Sequence, residues 1–74
     1  MKAYLVMVYT RDEHPPAHVH VEKAGSTIKI MLGESDVEVH SYKGEPSGRE
    51  IRRAAEIVAE HLAQCWTIWK EYNP

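Results

Sequence analysis

Apolar residues in this chain recur first at every second position and later at every third or fourth. The change falls near residue 47. The first spacing reads as strand and the second as amphipathic helix. Residues 2–10 predict a first strand with both alternating sets apolar: Ala3, Leu5, Met7 and Tyr9 on one side, Tyr4, Val6 and Val8 on the other. Such a strand is usually covered on both faces. Residues 11–16 predict a turn, stiffened by Pro15-Pro16. Residues 17–23 predict a second strand, in which Ala17, Val19 and Val21 alternate with His18, His20 and Glu22. Ala24-Gly25 is a tight connection to a third strand over 26–32, where Ile28, Ile30 and Leu32 alternate with Thr27, Lys29 and Met31. A fourth strand is predicted over 36–40, with Val37 and Val39 against Asp36, Glu38 and His40. It is short and charged, which suits a sheet edge.

The helix start is marked by Ser47-Gly48-Arg49-Glu50, a capping-box pattern. Ile51, Ala54, Ala55, Val58, Leu62, Cys65, Trp66 and Trp69 then recur at helical spacing, and the helix is predicted over 48–72. Its length would be about 37 Å, against about 23 Å for a seven-residue strand. The helix should overhang its sheet, so that Trp66 and Trp69 either wrap the sheet corner or enter an interface, where tryptophan is enriched. The predicted fold is α+β: an antiparallel sheet of about four strands with one long C-terminal helix packed on one face, in a single domain over residues 1–74. The expected core is Val19, Val21, Ile28, Ile30, Leu32, Val37, Val39 and one side of strand one.

Composition narrows the partners. The net charge is −2, which argues against a general nucleic-acid coat protein while leaving room for a local basic patch. No apolar run approaches the roughly 20 residues of a membrane span. The apolar N-terminal stretch runs into charged residues without a small-residue cleavage site, so it reads as strand and not as a signal peptide. Cys65 is the single cysteine, which excludes an internal disulfide and fits a reducing, cytoplasmic setting. Domains below about 70–80 residues usually add a disulfide, a metal or a second subunit. With disulfides excluded, a homodimer is the first expectation.

The motif His14-x-x-x-His18-Val19-His20-Val21, with Arg49-Glu50-Ile51-Arg52-Arg53 at the helix start and Trp69-x-Glu71-Tyr72 near its end, resembles the domain of unknown function 4160 family. The chain departs from the family pattern at Ala17, where a second proline is usual, and at Trp66, where a smaller or aliphatic residue is expected. The resemblance implies the fold and the histidine motif. Members are often encoded beside another small domain, which implies a toxin–antitoxin-like pair and a small protein partner.

Three constellations could carry chemistry. His18 and His20 leave one strand face with Cα atoms about 7 Å apart. With His14, His40 and Glu22 they are candidate ligands for a divalent transition metal such as zinc or nickel. The same two histidines are candidate catalytic groups, an acid and a base for RNA cleavage. The bland alternative is that they hydrogen-bond across strands to Glu38, Asp36 or tyrosines and order the sheet. Arg49, Arg52 and Arg53 oppose the helix dipole and would be relieved by a phosphate or an acidic partner, or else form a solvated face paired with Glu45 and Glu56. Lys29 is a further cation that could lie nearby, and Cys65 reads as a small core residue. Two functions follow: an interaction module, homodimeric and, as the resemblance implies, one half of a toxin–antitoxin-like pair, or a metal- or histidine-dependent enzyme such as a ribonuclease.

Overall fold

The structure, a computed structural model, describes residues 4–8 and 16–72. Strands β1 (Leu5–Met7), β2 (His18–Lys23), β3 (Ser26–Leu32) and β4 (Val37–Lys43) precede helices α1 (Gly48–Glu60) and α2 (Leu62–Tyr72). The strands form one sheet in sequence order, each antiparallel to the next. The outer residues of the expected first strand (2, 3, 9 and 10) and the turn at 11–15, His14 included, lie outside the described residues.

Register follows the alternation. Val19 pairs with Ile30 and Val21 with Ile28 across β2 and β3, while Val6 pairs with Val21 across β1 and β2. These side chains share the face that the helices cover. Val19, Val21, Ile28 and Ile30 are essentially inaccessible, and Leu32, Ala54, Val58, Cys65 and Trp69 complete the core. Each large aliphatic chain so buried contributes about 1.5–3 kcal/mol. Val37 and Val39 are half-buried against this cluster, as are Tyr4, Val6 and Val8. The β2–β3 hairpin turns on Ala24 and Gly25, both at positive φ (51° and 84°). That is the type I′ geometry, whose twist matches the strands it joins.

Two expectations are corrected. The fourth strand does not stop at His40 but runs to Lys43. The single helix over 48–72 is two helices, broken at His61, where φ is −120° and the amide is shared between the carbonyls of Ile57 (3.2 Å) and Val58 (3.1 Å). A straight 25-residue helix would run about 37 Å, whereas the molecule with its two helices extends 33 Å at most. By breaking, the chain lays α1 over β3 and β4 and α2 over β2 and β3. The start of α1 is as the sequence predicts: Ser47 Oγ accepts from the Glu50 amide (3.1 Å), and the Ser47 amide donates to Glu50 Oε1 (2.9 Å).

Candidate functional site

The sheet face away from the helices is where the polar residues gather, and one irregularity decides which of them do. Lys29 pairs with Ser41, but its neighbour Ile30 pairs with Val39. One extra residue, His40, is therefore inserted into β4 as a bulge. The insertion shifts the alternation by one. Before it, Val37 and Val39 point toward the helices; after it, Ser41 and Lys43 share the open face with their partners Lys29 and Thr27. Two of the rows that cross the open face matter here. One is Met7–His20–Lys29–Ser41 and the other is Leu5–Glu22–Thr27–Lys43.

A concavity of about 340 Å³ lies on these rows, lined by His20, Thr27, Lys29, Ser41, Tyr42 and Lys43. His40 Nδ1 and Ser41 Oγ share a hydrogen bond of 3.2 Å at its rim. Among the described residues no carboxylate lies within ion-pair distance of Lys29 or Lys43.

The two histidines of β2 occupy different environments. His18 is only 4% exposed, whereas His20 is half-buried and opens onto the concavity. Their rings meet edge to face at 5.3 Å. The His18 ring also stands 5.2 Å from the Trp69 ring. Its Nδ1 donates to the Pro16 carbonyl oxygen at 3.0 Å, which puts the proton on Nδ1 because a carbonyl can only accept. The expectation that both rings face outward holds for His20 and fails for His18. The two residues share a strand face, but the Trp69 ring of α2 packs against the first of them, which is buried. Trp66 marks the path: its Nε1 donates to the Gly33 carbonyl at 2.8 Å, just beyond the end of β3, and Trp69 lies one turn further along the helix.

A family model, Domain of unknown function (DUF4160), matches residues 3–70, nearly the whole chain. The chain belongs to this family. No curated protein and no solved structure matches it.

In this DUF4160 chain the remaining candidates separate. Among the described residues no group of three or more His, Cys, Asp or Glu side chains could hold a metal ion. His14 lies outside the described residues. His40 is exposed on β4, with β3 between it and the β2 histidines. Glu22 lines a neighbouring hollow with Lys23 and Ser26. Arg49, Arg52 and Arg53 are exposed on α1. Arg53 Nη1 is held by its own helix, 3.3 Å from Glu56 Oε1 and 3.6 Å from Glu60 Oε2. Of the three arginines, Arg53 is the one that pairs with Glu56. Trp69 is a core residue and Trp66 is half-buried, so both wrap the sheet end. Cys65 is buried, which pushes its thiol pKa up and makes it a poor nucleophile.

Sequence reading missed Lys43, Ser41 and Thr27 as neighbours of Lys29 and His20. A signal was present. In Val37, Val39, Ser41 and Lys43 the alternate positions turn from apolar to polar, while the next large apolar residue, Tyr42, comes three positions after Val39 rather than two. A change of phase within one strand is the mark of a bulge.

Proposed function

We propose that the chain is a small cytoplasmic interaction module that works as a homodimer, joined through the free edge of β1. The observation that supports this is the contrast between the two sheet edges. β4 carries Glu38, Lys43 and the His40 bulge, the usual protections of an edge strand. The described part of β1 is Leu5-Val6-Met7, with no charge, and Leu5 is 57% exposed. Beside it, Tyr4, Val6, Ile57 and the exposed Ile68 of α2 line a hollow between the strand and the helices. Antiparallel pairing of two β1 strands about a two-fold axis would satisfy the edge and cover this apolar strip. In a toxin–antitoxin-like pair the same edge would receive a strand of the small protein partner.

Size-exclusion chromatography with light scattering tests this reading. The native chain should elute as a dimer at micromolar concentration, and Leu5→Glu should convert it to a folded monomer. A native chain that stays monomeric at high micromolar concentration overturns the proposal.

A second reading, a histidine-dependent ribonuclease, is favoured by one contact. His18 and His20 touch at 5.3 Å, and His20 opens on a concavity that also holds Lys29 and Lys43. In this reading His20 would exchange a proton with a ribose hydroxyl while the lysines neutralise the phosphate. Purified chain that leaves RNA intact, with His20→Ala as the comparison, removes it.

A further inference from the structure

Lys29 sits in the middle of the open sheet face, half-buried on the inner strand β3, with His20 to one side and Ser41 to the other. Among the described residues no carboxylate lies within ion-pair distance of it, so an incoming anion would meet a cation that no neighbouring carboxylate neutralises. Lys43 stands diagonally across on β4, with Cβ separation about 7–8 Å. Thr27 pairs with Lys43 and Ser41 with Lys29, and all four residues line the same concavity. The bulge at His40 is what turns Ser41 and Lys43 toward this face, and bulges gather at sites where a side chain has to be re-aimed.

We propose that this concavity is a binding site for a phosphomonoester, held by the ammonium groups of Lys29 and Lys43 and the hydroxyls of Thr27 and Ser41. Two cations and two hydroxyls match the acceptor oxygens of one terminal phosphate, and charge-assisted bonds of this kind are the strong ones. The volume, about 340 Å³, is at the small end of ligand sites, which run from about 300 to 1,000 Å³. The surroundings limit the ligand to one phosphate. Glu22 and Glu38 occupy open-face positions on either side of Lys29, so a phosphodiester strand laid along the sheet would meet a carboxylate in either direction. The site goes beyond the dimer reading and is independent of it, because β1 is at the far side of β2. It also stands whether or not the histidines cleave anything.

Amide chemical-shift titration of the full chain tests the site, with inorganic phosphate, uridine monophosphate and a short oligouridylate lacking a terminal phosphate as probes. The first two should shift the amides of Thr27, Lys29, Ser41 and Lys43 and weaken as salt rises. Lys29→Gln and Lys43→Gln should each weaken uridine monophosphate about tenfold, the effect of losing one charge-assisted hydrogen bond. Lys70→Gln, on the exposed side of α2, should leave it unchanged. The amide spectrum reports folding of each variant, and Lys43→Gln on the exposed edge remains informative should the Lys29 variant unfold. Inorganic phosphate and the nucleotide acting alike would mean that the phosphate alone is recognised, as proposed. No shifts at these four amides at low salt, or binding indifferent to both lysine changes, overturns the site. An oligouridylate that binds more tightly than the mononucleotide also overturns it, in favour of a backbone reader.

Discussion

The imidazole of His18 and the indole of Trp69 stand 5.2 Å apart, inclined by 50°, although Trp69 belongs to the core under the helices and His18 alternates with the core residue Val19 along β2. By alternation His18 belongs to the strand face turned away from the helices, yet its ring meets the Trp69 ring of α2 and is buried. The contact closes that end of the core. With the Pro16 carbonyl accepting from Nδ1 on one side and the His20 ring edge-on at 5.3 Å, His18 is packed as a structural residue. His20, two positions on, is the member of the pair that solvent and a ligand can reach.

The two histidines should therefore separate in stability measurements. His18→Ala should cost about 2–4 kcal/mol, since it removes a buried ring and a hydrogen bond. His20→Ala should cost about 1 kcal/mol or less, as for other partly exposed positions. Urea denaturation followed by tryptophan fluorescence measures both, and equal costs would show that the two share one role.

The hairpin turn offers a stabilising change. Ala24 holds φ at 51°, a region that costs an alanine about 1–2 kcal/mol and an asparagine less. Asn-Gly is the preferred pair for this turn. Ala24→Asn should raise the unfolding free energy by about 0.5–1 kcal/mol, within the usual range of such turn repairs. A denaturation midpoint at or below that of the native chain would contradict the turn assignment.

Much of the fold can be read from the chain, with exceptions. Strands β2 and β3 are legible because Val19, Val21, Ile28, Ile30 and Leu32 keep one alternation across a two-residue turn. The start of α1 is legible because its cap is chemistry within four residues. The break at His61 is not, since no glycine or proline marks it. The burial of His18 comes with its contact to Trp69 of α2, so alternation could give its face but not its environment. The open-face cluster depended on a bulge whose only trace is the phase change between Val39 and Tyr42.

Acid and base should both weaken the corner where β2 meets α1. Lys23 Nζ donates to the Tyr4 hydroxyl at 3.1 Å and lies 3.7 Å from Glu50 Oε2. The Ser47 amide bond, and then Lys23, hold the Glu50 pKa below its ordinary value, while the Tyr4 hydrogen bond, with smaller contributions from Glu50, raises that of Lys23. A carboxylate with a depressed folded pKa stabilises above its unfolded pKa and loses this as pH falls through the folded one. A raised lysine stabilises below its unfolded pKa and loses this as pH rises through the folded one. Stability should therefore decline below about pH 4.5 and above about pH 10.5, the ordinary values of the two groups. Glu50→Gln should flatten the acid side of a plot of urea midpoint against pH. An acid limb as steep as that of the native chain would show that Glu50 does not carry it.

The bulge makes an unusual expectation about deletion. Removing one residue from a strand normally throws every later side chain to the wrong face. His40 is the exception, because it is the residue without a cross-strand partner. With His40 removed, Val39 still pairs with Ile30 and the next residue, Ser41, still pairs with Lys29, so Tyr42 and Lys43 keep their faces and partners. The deletion should cost about 1 kcal/mol or less, in the range of surface changes. Removing Glu38 instead would shift Val37 out of its pairing with Leu32 and expose its half-buried side chain, at a cost of about 1 kcal/mol for the valine, to which the lost strand pairing adds. Unfolding curves of the two deletion variants, with cross-strand contacts between residues 29 and 41 as the check on register, decide the matter. A His40 deletion as damaging as the Glu38 deletion would mean that the extra residue is part of the ladder.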